Sequence, residues 1–413
     1  MNIFKLSYRN MMSRPLSTTL SLVLLTLGVG LISLILQINR HIQQQMENNV
    51  RGIDMVVGAK GSPLQLILSA IYHIDAPTGN ISLKEAKLLQ KNRLVKSGIL
   101  LSYGDSYNGY RIVGTNHQYP KLYDAAIIQG RWWSEPFEVT IGSTVARNLH
   151  LKIGSTFTGV HGLTSAGETH SGHHYQVVGI LDYSNSVMEQ LILTANESVW
   201  EVHHHEGEST EDSDHNDPEH EESHLDEQGH KEEKEITAML IQFRNPIGLI
   251  QLPRMVNENT NMQAAVPAYE INRLFSLMGV GIDTLSTIAL IIMAVSGLSV
   301  FISLYNALKD RKYEMALMRS YGSTRWQLVW LVMQEAILLT LSGFTLGILF
   351  SRIGLWLVSA IMEADSHYSF SGWVWLKEEW WLLATALVIG LLASLLPAIH
   401  VFRINISRTL ANA

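Results

Sequence analysis

Apolar residues in this chain gather into four long runs, with a stretch of strand-like alternation between the first and the second. A helix needs about 20 apolar residues to cross a hydrocarbon core. The run 16–38 carries no charge and is bracketed by Arg14 and Arg40. The run 284–308 carries none and follows Asp283, the run 326–351 carries only Glu335, and the run 380–402 carries none and stops before Arg403. These predict four transmembrane helices. The first has the basic start of a secretory signal (Lys5, Arg9, Arg14), but its apolar core is too long and no small-x-small cleavage site follows. It reads as an uncleaved anchor.

Residues 39–283 form one large domain, or two intertwined subdomains, between the first two spans. The pattern is mixed α/β. Strands are predicted over 52–58, 95–103, 110–114, 138–142, 155–160, 176–181 and 236–243, from β-branched alternation between Gly, Asn and Asp breaks. Ser82 and Glu85 form a capping box opening a helix to residue 92. Short helices are predicted at 144–149, near Trp200 and at 247–257, and a helical pattern from Tyr269 runs into the second span. The predicted fold class is an α-helical membrane protein with a large mixed α/β extracytoplasmic domain between helices 1 and 2. Residues 202–234 differ from their surroundings: His, Glu, Asp and Ser dominate, and little is left to bury. Such composition does not offset the entropy of ordering a chain, so this insertion is expected to be disordered.

Charge then sets an orientation. The net charge is −7, yet residues 201–235 hold fifteen acids against two lysines, which leaves an excess of +6 elsewhere. That excess flanks the apolar runs. Segment 1–15 has three basic residues and no acid, segment 309–325 has five basic residues, and the tail 403–413 has two. The loop 363–379, within an expected outer loop 352–379, has one Lys against four acids. Positive residues favour the cytoplasmic side. Both termini and segment 309–325 are therefore expected in the cytoplasm, and 39–283 outside, in the periplasm of a bacterium. With no cysteine, disulfides, iron–sulfur clusters and thiolate zinc sites are excluded.

No catalytic constellation stands out. A phosphate loop of the G-x-x-x-x-G-K-[ST] type is absent. The near miss at Gly58, Lys60 and Gly61 has the wrong order and falls in the outer domain. G-x-S-x-G and H-E-x-x-H motifs are absent too, so an intrinsic enzyme activity is not expected.

Several motifs carry a resemblance. Arg311-Lys312-Tyr313-Glu314-Met315-Ala316, followed by Met318, Arg319 and Gly322, resembles the cytoplasmic coupling helix of the MacB/FtsX-type ABC transporter permeases. Gln334-Glu335-Ala336 with Gly343 and Gly347 resembles their third span. Leu396-Pro397-Ala398 and the segment from Arg403 to Leu410 resemble their tail, with Ser407 where the family usually has Pro. In the outer domain, Gly130-Arg131-Trp132-Trp133 and the stretch 139–153 resemble segments of the MacB-like core. The chain is also similar to the LolC/LolE lipoprotein-release permeases. The resemblance implies a non-catalytic subunit in a bacterial inner membrane, served by a separate cytoplasmic ABC ATPase that holds ATP and magnesium. It implies a homodimer, or a heterodimer with a related permease. It further implies mechanical work on a lipoprotein, peptide or other envelope cargo, with membrane lipid and a periplasmic or lipoprotein partner around it and no nucleic acid.

The motifs single out candidate working residues. For ATPase coupling they are Arg311, Glu314, Met318, Arg319 and Gly322. Glu335 is an intramembrane acid, read as pairing with a nearby Arg of segment 309–325. Gly343 and Gly347 form G-x-x-x-G, a close-packing signal between spans or between subunits, and Gly28 and Gly30 read the same way. The histidines are the most individual feature. His170, His173, His174, His203, His204, His205, His215, His220, His224 and His230 crowd one part of the outer domain. Neutral imidazole ligates zinc, copper and nickel, and irregular spacing favours a loose zinc-binding loop over one tetrahedral site. Two alternatives are an FtsX-like mechanotransmission regulator of a periplasmic partner and a periplasmic metal-binding sensor.

Overall fold

The computed structural model describes residues 15–161, 173–208, 234–366 and 375–402. The chain divides into two compact units, one of Met1–Ile42 with Leu277–Ala413 and one of Gln43–Ser276.

The first unit is helical. Four helices are long and apolar enough to cross a membrane. They span Pro15–Val50, Pro267–Asp310, Arg325–Ser366 and Lys377–Phe402. A short helix, Lys312–Ser320, links the second to the third. The fold class is the predicted one, but every helix outruns its apolar run. The first is expected to end at 38 and continues to Val50. Its polar continuation includes Gln43, Gln44, Gln45, Met46 and Glu47, which sustain a helix, and the chain turns only at Gly52, with φ +77°. The second starts at Pro267, a residue pre-set for a first turn. The third is expected to stop at 351, before an outer loop 352–379. It runs on to Ser366, with Arg352 buried in its interior.

The second unit is built on strands β1 (Met55–Ala59), β2 (Ile81–Ser82), β3 (Val95–Tyr107), β4 (Tyr110–Thr115), β5 (Ile127–Gly130), β6 (Glu138–Ile141), β7 (Thr156–Phe157), β8 (Val160–His161), β9 (Tyr175–Leu181), β10 (Ile192–Ala195), β11 (Glu235–Ile236), β12 (Ala238–Phe243) and β13 (Met262–Ala265). Their main sheet has the order β13-β1-β12-β3-β4-β10-β6-β9-β5. It is mixed, with β4/β10 and β6/β9 parallel. The long strand β3 joins two lobes: its first half pairs with β12 and its second half with β4, across an irregularity between Tyr103 and Ser106. Asn108 and Gly109 both have positive φ, 47° and 83°, which closes the β3–β4 hairpin with a twist that suits the strands. Each lobe buries its own apolar cluster, around Met55, Met239 and Leu252 in one and Ile112, Val139 and Ile192 in the other. A larger cluster including Val56, Leu101, Tyr119 and Leu193 lies on the remaining face.

The expected strand 52–58 begins only at Met55, and 155–160 splits into β7 and β8. Strands β2, β5, β10 and β13 and the helices Pro63–Ala70 and Gln118–Leu122 go beyond the predicted elements; each is short. Ser82 caps the helix Leu83–Gln90 as expected, accepting from the Lys84 N–H, but the helix ends at Gln90 instead of reaching residue 92. The insertion is expected to begin at 202, yet Val202 is buried on the helix Asn196–Glu208. On the far side, the Trp200 indole donates to the Glu235 carbonyl at 2.7 Å and Lys234 lies over the Trp200 ring. These contacts fasten both ends of the segment.

Candidate functional site

The linker between the second and third spans is a shaped hairpin. The helix Lys312–Ser320 occupies the middle of the expected 309–325 segment, and Arg311 stands at its N-cap position. Lys312, Tyr313 and Glu314 are exposed, whereas Met315 and Ala316 are buried. Met315 packs with Leu308, Leu328 and Val332, and Met318 lies against that cluster. Arg319 is half-buried in the last turn. The helix ends in a paired cap: the Ser323 N–H donates to the Met318 carbonyl at 3.0 Å and the Gly322 N–H to the Arg319 carbonyl at 3.1 Å. Gly322 takes φ +95°, a conformation that suits glycine. The next helix is capped at once, because Thr324 N–H donates to Gln327 Oε1 and Gln327 N–H donates to Thr324 Oγ1. The result is an amphipathic helix held between two spans with its polar face outward.

The glycines of the spans are places of close approach within the chain. A side chain on Gly343 would strike Leu25, and a Cβ on Gly347 would lie 2.8 Å from the Val29 Cβ. The G-x-x-x-G face thus packs against the first helix of the same chain. Gly28 meets the Met293 backbone, where a Cβ would stand 3.1 Å from the Met293 Cα. Gly30 faces the third helix, where a Cβ would lie 3.0 Å from the Gly347 carbonyl oxygen. Glu335 is buried on the third helix beside Ala336, which packs with Val300, Leu304 and Leu339.

One polar centre in the spans has no counterpart among the predicted residues. The Glu379 carboxylate is fully buried and accepts five hydrogen bonds. Arg352 Nη2 donates to both oxygens at 2.9 Å, Ser33 Oγ at 2.8 Å, Gln37 Nε2 at 3.2 Å and the Leu376 N–H at 3.2 Å. Three helices meet there. Its depth follows from tryptophans. Trp330 and Trp356 are exposed on the third helix, about 39 Å apart at 1.5 Å per residue. That is close to the thickness of a bilayer with its interfaces. Trp356, Trp375, Trp380 and Trp381 gather at the end that holds Arg352 and Glu379. The centre therefore lies at the tryptophan-rich end of the helices. Arg352 and Glu379 fall within the expected outer loop because each charge ends a hydropathy window. The signal that points to them is opposite charge at the facing ends of two adjacent spans.

In the second unit, Arg131 forks onto Glu138, which also accepts from the Ser134 N–H at 2.8 Å. This explains the Gly-Arg-aromatic segment: the Arg131 guanidinium holds the Glu138 carboxyl down at about 2. A second polar knot surrounds His73, whose Nε2 is 2.7 Å from Tyr119 Oη. Burial and the nearby Arg111 guanidinium hold this imidazole well below its usual range. The end of the first helix is fixed here too. Tyr123 Oη donates to the Asn49 carbonyl at 2.7 Å, and the Val187 N–H to Asn49 Oδ1 at 2.9 Å.

Of the metal candidates, five lie on described residues. His173 stacks on Phe137 at 4.7 Å, His174 is exposed, and His203, His204 and His205 belong to the helix Asn196–Glu208. His170, His215, His220, His224 and His230 lie outside the described residues. Among the described residues, no three His, Asp or Glu side chains converge as a metal site.

Comparison with known proteins places this architecture. A family model described as FtsX-like permease C-terminal matches residues 286–406. One described as MacB-like periplasmic core domain matches residues 18–211. No curated protein matches the chain. Among solved structures, the periplasmic region of MacB from Actinobacillus actinomycetemcomitans is similar at 12% identity and a TM-score of 0.33, over 56% of this chain and 98% of that one. The extracellular domain of the noncanonic ABC-type transporter YknZ from Gram-positive bacteria is similar at 12% identity and a TM-score of 0.30, over 51% and 98%. The two family models take in the first span, most of the domain behind it and the later spans, and the chain belongs to the MacB/FtsX-type family of ABC transporter permeases.

Proposed function

We propose that this permease subunit converts ATP hydrolysis, performed by a separate cytoplasmic ATPase, into movement of its domain on the outer side of a bacterial inner membrane. The observation that carries the reading is the capped amphipathic helix Lys312–Ser320, which turns Lys312, Tyr313 and Glu314 outward between two spans. In this reading both termini and that helix face the cytoplasm, two permease copies work together, and the cargo is a lipoprotein, a peptide or another envelope molecule. Glu314 and Arg319 are the polar anchors for the ATPase.

Co-purification from membranes with the companion ATPase tests this. Glu314→Arg with Arg319→Glu should lower ATPase recovery about tenfold while the permease stays folded. Full recovery would place the dock elsewhere. Orientation is open to a direct test because the chain has no cysteine. Leu88→Cys should react with an impermeant thiol reagent in cells with a permeabilised outer envelope, and Tyr321→Cys only after lysis.

A zinc link is a second part of the reading, supported by the histidine density of residues 203–230. Zinc should change the ATPase rate of the complex, and removal of residues 209–233 should abolish the response. Equal responses with and without the segment would reduce it to a linker.

A further inference from the structure

The buried centre at Glu379 asks for a role beyond stability. An ion pair removed from water rarely gains more from attraction than it loses in hydration. Ionisable groups among membrane spans are retained mainly for what they do. Here the carboxylate, itself on the fourth helix, is saturated: its two oxygens take five hydrogen bonds, from the first and third helices and from the Leu376 N–H just before the fourth.

The contributions of the first helix fix its register. Ser33 and Gln37 are four residues apart, so both lie on the face turned to Glu379. Sliding by one residue moves that face about 1.5 Å along and about 100° around the axis, which takes both donors off the carboxylate. Shape enforces the same register. Gly30 lies against the Gly347 carbonyl, and Leu34 Cδ2 would be 3.4 Å from a Cβ on Gly354. This same helix continues unbroken to Val50, past Asn49 with its two anchoring hydrogen bonds.

We propose that Glu379, with Arg352, Ser33 and Gln37, is a register lock. It makes the first, third and fourth spans one body, so that displacement entering at the hairpin before the third span reaches the end of the first helix without slippage. These are positioning residues; none touches nucleotide or cargo. The proposal rests on the ATP-driven reading above.

The test uses the full permease–ATPase complex in lipid. Its readout is the nucleotide-dependent change in hydrogen exchange across residues 46–53 and 185–190, measured beside ATPase rate. Glu379→Gln should leave assembly and ATP hydrolysis in place and shrink the exchange change about fivefold. A short bis-methanethiosulfonate bridge between Leu34→Cys and Gly354→Cys in the same chain, longer than a direct disulfide, should restore the change and lose it again on reduction. A gain in stability alone would leave no such redox-reversible recovery in an assembled complex. If Glu379→Gln does not assemble, Ser33→Ala with Gln37→Leu keeps the ion pair and should show the same loss in part. An undiminished exchange change in Glu379→Gln, or in that double variant, would overturn the lock. So would a fully formed bridge that restores nothing. A wild-type complex without any nucleotide-dependent change would instead sink the ATP-driven reading.

Discussion

Single residues in the outer domain set its response to acid. His73 is buried against Tyr103, Tyr119 and Arg111, and its folded pKa lies well below 6.5. The unfolded chain then binds the proton first, so stability present above 6.5 falls as pH drops below it. Hydrogen exchange across residues 71–75, corrected for its intrinsic pH dependence, should rise below that point, and His73→Gln should flatten the trend. Glu138 acts lower down. Arg131 depresses its pKa from 4.5 to about 2, so its contribution is intact above 4.5 and is lost as pH falls toward 2. Glu138→Gln should remove that second step. In the hairpin, Gly322 holds φ +95° with open space around it. Gly322→Ala should therefore act through backbone strain alone, about 1–2 kcal/mol. Faster exchange at residues 318–323 would register it.

Helices were the legible elements, and their ends were not. Hydropathy located all four spans because a membrane demands a long apolar run from each. It misjudged their length because charge stops a hydropathy window without stopping a helix. Arg352 is the clearest case. On its own it marks a boundary; paired with Glu379, 27 residues away, it belongs inside the bundle. No local pattern carries such a pairing. The same holds in the sheet, where Ser82 and the alternation of β3 and β4 were readable locally. Strand β10 is a four-residue strand placed by its parallel partner β4 and was not. Packing between elements can be tested directly. Gly347→Leu would drive a side chain into Val29 and should lower the thermal midpoint of the detergent-solubilised permease markedly, with Gly354→Ala nearly neutral. At the ion pair, Arg352→Met or Glu379→Leu alone should cost about 3–5 kcal/mol by leaving one buried charge unpaired. The double variant should cost less than either, and additive losses would mean the two residues do not act as a pair.

For the whole molecule, the arrangement separates three tasks along one chain. A capped helix offers a polar face between the second and third spans, the spans hold a filled charge centre, and a two-lobed sheet receives the end of the first helix. The helix motif is legible in the sequence because its residues are contiguous. The histidine-rich part is legible only as composition, since metal binding depends on convergence and the described histidines do not converge. In the proposed function, ATP hydrolysis is expected to reach the outer domain through the helix Lys312–Ser320. The most direct measurement is the ATPase rate of the lipid-reconstituted complex together with hydrogen exchange at residues 46–53, for wild type and for Glu314→Arg with Arg319→Glu. In wild type, nucleotide should change that exchange, and the double variant should lose both the bound ATPase and the change. An unaltered exchange response in the variant would rule out this route.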